Sequence, residues 1–273
     1  MCYTIFEMNL AYAISVTGPG RARSCAFLIL PVLFLLLSVS CGGKSVVKPP
    51  ERFDSEKTFI QANDLLEKKS YEEARALFLE VKNRDLTKKY APLAQLKIAD
   101  SYVKAGEPEL SIPEYQKFLD SYPENQYASY AQYQIAMVYF DQIEGPERGY
   151  SGAAKALEEF EKLKRMYPRN PYKEDIELKI QKCRNIIAEY EFLVGDFYYK
   201  KGAYGAAIGR FETILKKYPG YKGEATVLFL MGKSYASLKQ NDKAAEYFSR
   251  LVEKYPNDKL VKDAKHELTV IKK

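Results

Sequence analysis

The chain has 273 residues, with 42 Lys and Arg against 36 Asp and Glu and a formal net charge of +6. That excess is mild, and lysines alternate with glutamates ("EKLKR", "ELKIQK", "LVEKYPNDK"), the pattern of solvated helix faces, which argues against a basic nucleic-acid stripe. The sequence holds no glycine-rich phosphate loop and no nucleophile paired with a histidine, which points away from an enzyme or a cofactor.

Taken in chain order, the first feature is Ala26 to Val39, AFLILPVLFLLLSV, an uncharged run that follows Arg21 and Arg23 and contains a proline. A spanning helix needs about 20 apolar residues. This run is shorter and suits the apolar core of an export signal. It ends in "SVSCGGK", with small residues around Val39 and then Cys41. The stretch resembles a bacterial lipobox, whose cysteine takes a diacylglyceryl group and becomes the first mature residue, although Ser38 stands where that pattern usually has leucine. Residues 1–40 are therefore expected to be a lipoprotein signal and Cys41 the lipidation site. Residues 1–20 fit no signal n-region, so translation is expected to begin downstream of Met1.

With Cys2 and Cys25 removed in the leader and Cys41 lipidated, Cys183 is left without a disulfide partner. Together with the single histidine, His266, this cysteine supplies too few ligands for a zinc site of the usual type. Its setting, "IELKIQKCRNII", predicts a small core residue of a helix. Residues 41–53 include "GGKSVVKPPERF", where glycines and a Pro-Pro pair resist helix formation and predict a flexible tether. Fully stretched, such a segment reaches about 40 Å.

From Asp54 the sequence repeats. "Tyr-Pro" recurs in "LDSYPEN", "KRMYPRN", "LKKYPGY" and "VEKYPND", each closing an amphipathic segment that proline cannot continue. Before these turns a small residue is followed after three positions by a large one, after nine more by a small one, and after four more by an aromatic. The instances are Ala62, Leu65, Ala74 and Phe78; Ala99, Tyr102, Ser111 and Tyr115; Gly195, Tyr198, Ala207 and Phe211; and Gly232, Tyr235, Ala244 and Phe248.

This pattern resembles the tetratricopeptide repeat (TPR), in which small residues let two antiparallel helices approach. Successive repeats are 37 residues apart except between Ala136 and Gly195, which are 59 apart. Eight of the extra residues fall in "DQIEGPERGYSG", a longer inter-helix loop. The other fourteen precede Gly195 and make nearly four helical turns, so they lengthen a helix without turning its apolar face. Lys173 to Tyr199 is thus predicted as one helix. The fold expected is all-α: a right-handed superhelical solenoid of about five TPR helix pairs, with a long helix joining the third and fourth. Residues 54–170 hold repeats one to three, 171–187 the helix extension, and 188–273 repeats four and five with a tail.

By the TPR pattern, the groove-facing positions of the first three repeats are Phe59, Asn63 and Leu66; Asp100 and Val103; and Tyr130, Tyr133, Met137 and Phe140. Aromatic and methionine side chains along a groove point to an apolar peptide site.

A lipobox, a short tether, five repeats with an enlarged third, and "YEFLVGDFYYKKGAYGAAIGRFETILKKYPG" together resemble the BamD family (ComL, YfiO), lipoprotein subunits of the outer-membrane β-barrel assembly machine. The likeness covers residues 41 to 260. It implies an outer-membrane lipoprotein facing the periplasm. Its C-terminal half would bind a POTRA domain of the barrel subunit BamA and its N-terminal groove unfolded barrel precursors, with other lipoproteins of the machine as further partners. Arg210 in "AIGRFETIL" matches the family arginine that pairs with an acidic residue of BamA. Asp85 and Leu86 stand where the family has Tyr-Pro at the end of its first repeat, and the substrate contact of that tyrosine is not carried over. Another cell-envelope TPR scaffold, Tol-Pal-associated or a pilus or secretin pilotin, is the alternative.

Overall fold

The structure is a computed structural model and describes residues 52–271. The leader, Cys41 and the tether as far as residue 51 lie outside the described residues. Among the described residues there are eleven α-helices and no strand. They are α1 (Ser55–Glu67), α2 (Tyr71–Arg84), α3 (Ala91–Lys104), α4 (Pro108–Ser121), α5 (Ala128–Asp141), α6 (Ser151–Met166), α7 (Lys173–Lys200), α8 (Tyr204–Lys217), α9 (Glu224–Ser237), α10 (Asn241–Lys254) and α11 (Val261–Ile271). Helices pack chiefly on their neighbours in sequence, so α1 to α10 form five antiparallel pairs of a TPR solenoid. No described helix is long and apolar enough to cross a membrane.

The small and aromatic positions of the repeat explain the pairing. Ala62, Ala74, Ala99, Ser111, Ala136, Ala156, Ala207 and Ala244 have no exposed surface. Phe78, Tyr115, Phe160, Phe211 and Phe248 fill the spaces these residues leave. In the first three repeats the small residue of the first helix is alanine; in the fourth and fifth it is glycine, and the phenylalanine comes closer. A Cβ added at Gly195 would lie 2.5 Å from Phe211 Cε1, and one at Gly232 would lie 2.5 Å from Phe248 Cε1. Burying such a side chain contributes about 1.5–3 kcal/mol, so these contacts are the main reason each pair holds.

The turns follow equally local rules. At the end of α1, α3, α7 and α9 one residue takes positive φ: Lys69, Gly106, Gly202 and Lys239. The N–H of the next residue then reaches back to a carbonyl of the last turn, as Ser70 does to Leu65 at 2.9 Å and Gln240 to Tyr235 at 2.9 Å. After the Tyr-Pro turns, Asn125, Asn170 and Asp258 accept from the backbone N–H two residues on, at 2.8 to 3.0 Å, and redirect the chain into the next helix.

The first repeat lacks Tyr-Pro and reaches the same end with one carboxylate. Asp85, 7% exposed, accepts from the Thr87 hydroxyl and from the N–H groups of Thr87, Tyr90 and Ala91. Burial pushes its pKa up, but these hydrogen bonds outweigh that and hold it below the ordinary aspartate value.

The two insertions meet in space. α7 runs unbroken for 28 residues. Its first half packs under α6 through Ile176, Ile180, Cys183 and Ile187, and its second half under α8. The enlarged loop, with a 3₁₀ turn at Pro146–Arg148, folds onto the middle of α7, where the Tyr150 and Tyr190 rings lie 4.8 Å apart. Residues 261–271, read from sequence only as a tail, form α11. It closes the last pair with Val261 and Ala264 and turns its other side to water.

Candidate functional site

The first helices of repeats one to three, together with the turn before α7, enclose a groove of about 560 Å³. Phe59, Leu93, Leu96, Tyr127, Tyr130 and Tyr172 supply its apolar walls, and Lys97 and Asp100 its polar floor. Asp100 is the anchor of that floor. Its Oδ1 accepts from Tyr115 Oη at 2.7 Å and from Tyr130 Oη at 2.9 Å, and Lys97 Nζ lies 3.6 Å from Oδ2. Burial and then the Asp100 charge push both phenols well above the ordinary tyrosine pKa, so they stay protonated and keep donating.

Tyr133 stacks on Tyr172 with ring centres 4.3 Å apart and donates to Asp175 at 2.8 Å. Lys179 pairs with the same carboxylate. Burial raises the pKa of Asp175, yet the bonds from Lys179 and Tyr133 together bring it below the usual range. This network fixes the start of α7 against α5.

Of the groove residues expected from sequence, Phe59 and Tyr130 line the cavity, and Tyr133 supports it through Tyr172. Met137 and Phe140 are half-buried in the third-repeat cluster, where Phe140 meets Phe160 edge-on and lies near the ammonium groups of Lys179 and Lys182. Leu66 requires correction. It is 3% exposed and packs in the first-repeat core with Ala74, Phe78 and Ile98, because it sits one helical turn beyond Ala62 on the face that meets α2 and α3. It cannot touch a bound peptide.

Sequence reasoning missed Tyr127 and Tyr172. Both lie five residues after the tyrosine of a Tyr-Pro turn, in "YPENQY" and "YPRNPY", and both precede the first residue of a helix. Tyr90 stands at the same offset from Asp85 and packs on Phe59, ring centres 5.5 Å apart. The repeated tyrosine was the available signal. Cys183 is fully buried, and burial raises its thiol to about 11, so it is an inert core residue.

Arg210 is not free in the folded chain. Its Nη1 donates to Glu191 Oε2 at 3.0 Å; the guanidinium side chain is 43% exposed and the carboxylate side chain 11%. The same two positions are bridged elsewhere. In the second repeat Gln95 donates to the Glu114 carbonyl at 3.0 Å and carboxylate at 2.9 Å, and in the third Gln132 donates to the Glu159 carboxylate at 2.6 Å. Each first partner lies four residues before the small residue and each second partner one before the aromatic. The fourth repeat thus keeps the bridge and exchanges its chemistry: the acid moves to the first helix and a cation to the second. That exchange puts donors, not acceptors, at the surface beside α8.

Comparison with known proteins gives a match to the YfiO family model, described as an outer membrane lipoprotein, over residues 52–247. The chain is 26% identical over 242 residues to the outer membrane protein assembly factor BamD of Caulobacter vibrioides, covering 88% of this chain and 79% of that one. It is 30% identical over 195 residues to the BamD of Rickettsia prowazekii, covering 71% of this chain and 78% of that one. Among solved structures, the TPR2AB-domain:pHSP90 complex of yeast Sti1 aligns with a TM-score of 0.41 at 18% identity, covering 80% and 82% of the two chains.

Proposed function

Because the chain belongs to the YfiO family of outer membrane lipoproteins, we propose that it is a non-catalytic assembly factor for outer-membrane β-barrel proteins. In this reading Cys41 carries the lipid that holds the protein on the periplasmic side of the outer membrane. The C-terminal half engages a POTRA domain of a BamA-type barrel subunit through Arg210, other lipoproteins of the same machine join the complex, and the N-terminal groove receives unfolded barrel precursors. The observation that carries the last role is the aromatic groove between Phe59, Tyr127, Tyr130 and Tyr172. Its tyrosines present flat apolar faces with polar tips, which suits extended chains of varied sequence.

The test is site-specific crosslinking. A photoreactive residue at Tyr127, inside the groove, should crosslink an unfolded barrel precursor diluted from urea. The same residue at Leu110, 51% exposed on α4, should not. Equal yields at both sites, or none at Tyr127, would remove the groove from substrate binding.

A further inference from the structure

The fourteen extra residues of α7 change what covers its second half. In a stacked array, the first helix of each pair turns one face toward the second helix of the pair before it. The residue two positions after the small one lies on that face: Ser101, Val138 and Ser234 are 0%, 4% and 0% exposed. The corresponding residue of the fourth repeat is Phe197, and it is 56% exposed. Five positions before the small residue the contrast recurs, with Ala94, Ala131 and Val227 fully covered and Tyr190 only half-buried beneath Tyr150.

The cause is geometric. α6 covers the first half of α7, ending near Ile187, and beyond it, among the described residues, the enlarged loop reaches this face through Tyr150 in place of a full helix. At α1, the first described helix, which has no repeat before it among the described residues, the position of Phe197 is held by the exposed Asp64, the polar choice that suits the outer face of an array. The fourth repeat has the same missing neighbour but apolar side chains, Leu193 (37% exposed) and Phe197, in the gap. An exposed aromatic strip of this kind marks an interaction surface.

Its rim indicates the chemistry of the occupant. The acidic residues on this half of α7 are already engaged: Glu189 by Tyr221, Glu191 by Arg210 and Asp196 by Lys200. The cations keep unused donors. Lys201 lies over Phe197 with its Nζ 5.8 Å from the ring centre, and Arg210, whose Cβ would lie 3.2 Å from a Cβ added at Gly195, commits only Nη1 to Glu191.

We infer that Tyr190, Leu193 and Phe197, with Arg210 at their edge, form the docking strip for the barrel subunit, which presents an apolar recess rimmed by carboxylates. The inference rests on the partner reading above and adds to it the residues that anchor the contact. Arginine and a large aromatic side by side are the usual centre of such an interface.

The experiment captures the full detergent-solubilised lipoprotein on immobilised POTRA domains of the barrel subunit from the same organism. Phe197→Asp and Leu193→Asp should each weaken capture by at least ~30-fold, as central interface residues do, with melting temperatures unchanged. Leu178→Asp, on the same helix but outside the strip and 74% exposed, should bind like the wild type. Capture lost with Arg210→Glu but kept with both strip variants overturns the strip and leaves the partner reading in place. Equal loss with Leu178→Asp also overturns the strip. No capture by the wild type, or full capture by every variant, overturns the partner reading and this inference together.

Discussion

Arg210 on α8 and Glu191 on α7 bridge the fourth repeat at the positions where the second and third repeats use a glutamine and a glutamate, with the carboxylate moved to the opposite helix. The guanidinium therefore has a structural task before any partner arrives. An exposed pair contributes about 0–1 kcal/mol, and breaking a buried one costs about 3–5 kcal/mol. With one member nearly covered and the other half-exposed, Arg210→Glu is expected to cost about 1–3 kcal/mol in urea unfolding, between those limits. The double variant Glu191→Gln with Arg210→Glu recreates the bridge of the neighbouring repeats and should recover most of that loss. Under the proposed function it should still fail to bind the POTRA domains, which separates the structural bridge of the arginine from its proposed docking role.

The lone carboxylate that closes the first repeat predicts a pH dependence. The folded pKa of Asp85 is depressed, so the ionised side chain contributes stability above the unfolded aspartate pKa and loses it as pH falls through the lower folded value. Asp85→Asn removes the charge and one acceptor, at a cost of about 1–2 kcal/mol at neutral pH, typical of a lost cap. The gap between wild type and variant should hold from pH 7 to about 5 and shrink below about pH 4, where the aspartate begins to protonate. A gap constant from pH 7 to pH 2 would show that shape and not charge matters at this site.

Much of the fold was legible because its determinants are local and periodic. Small residues and aromatics at fixed offsets define each helix pair, and an insertion of nearly whole turns preserves the phase of α7. The groove was harder to read. Leu66 obeys the same helical spacing as Phe59 yet points into the first-repeat core, a difference set by where α2 and α3 lie. Tyr127 and Tyr172 sit in turns, outside the helical repeat pattern. Arg210 and Glu191 are nineteen residues apart on different helices, and their bridge emerges only when three repeats are superposed by register. α11 lies beyond the last Tyr-Pro turn and, among the described residues, packs on α10 of the preceding pair.

The positive-φ caps offer a comparison inside one chain. Gly106 and Gly202 hold this conformation without a Cβ, whereas Lys69 and Lys239 hold it at φ 64° and 60° with one. The left-handed region costs a non-glycine residue about 1–2 kcal/mol, and glycine loses about 0.5–1 kcal/mol more chain entropy on folding. Lys239→Gly, at an exposed position, should therefore stabilise the fifth repeat by about 0.5–1 kcal/mol, the difference between those terms. Gly202→Ala should destabilise the fourth by about 1 kcal/mol for the same reason. Thermal unfolding of the two variants with opposite signs is the expected result; equal signs would show that the turn is not fixed by this residue.

The continuity of α7 carries the last prediction. Through one hydrogen-bonded helix, the half-array that bears the aromatic groove is joined to the half that bears Arg210. Asn185 lies near the middle, between the segment under α6 and the segment under α8, and is partly exposed. Proline there removes an N–H and clashes with the carbonyl four residues back, at a cost of about 3 kcal/mol or more. Asn185→Ala keeps the N–H and has the better helix propensity, so it should be neutral or stabilise by a few tenths of a kcal/mol, about the propensity difference. The penalty for Asn185→Pro should fall on the junction. Hydrogen exchange should speed up from about Gln181 to Glu189, while Phe78 and Phe248, in the first and fifth repeats, keep their packing. Exchange unchanged around residue 185, with stability equal to the alanine variant, would mean that the two halves are not coupled through a continuous helix.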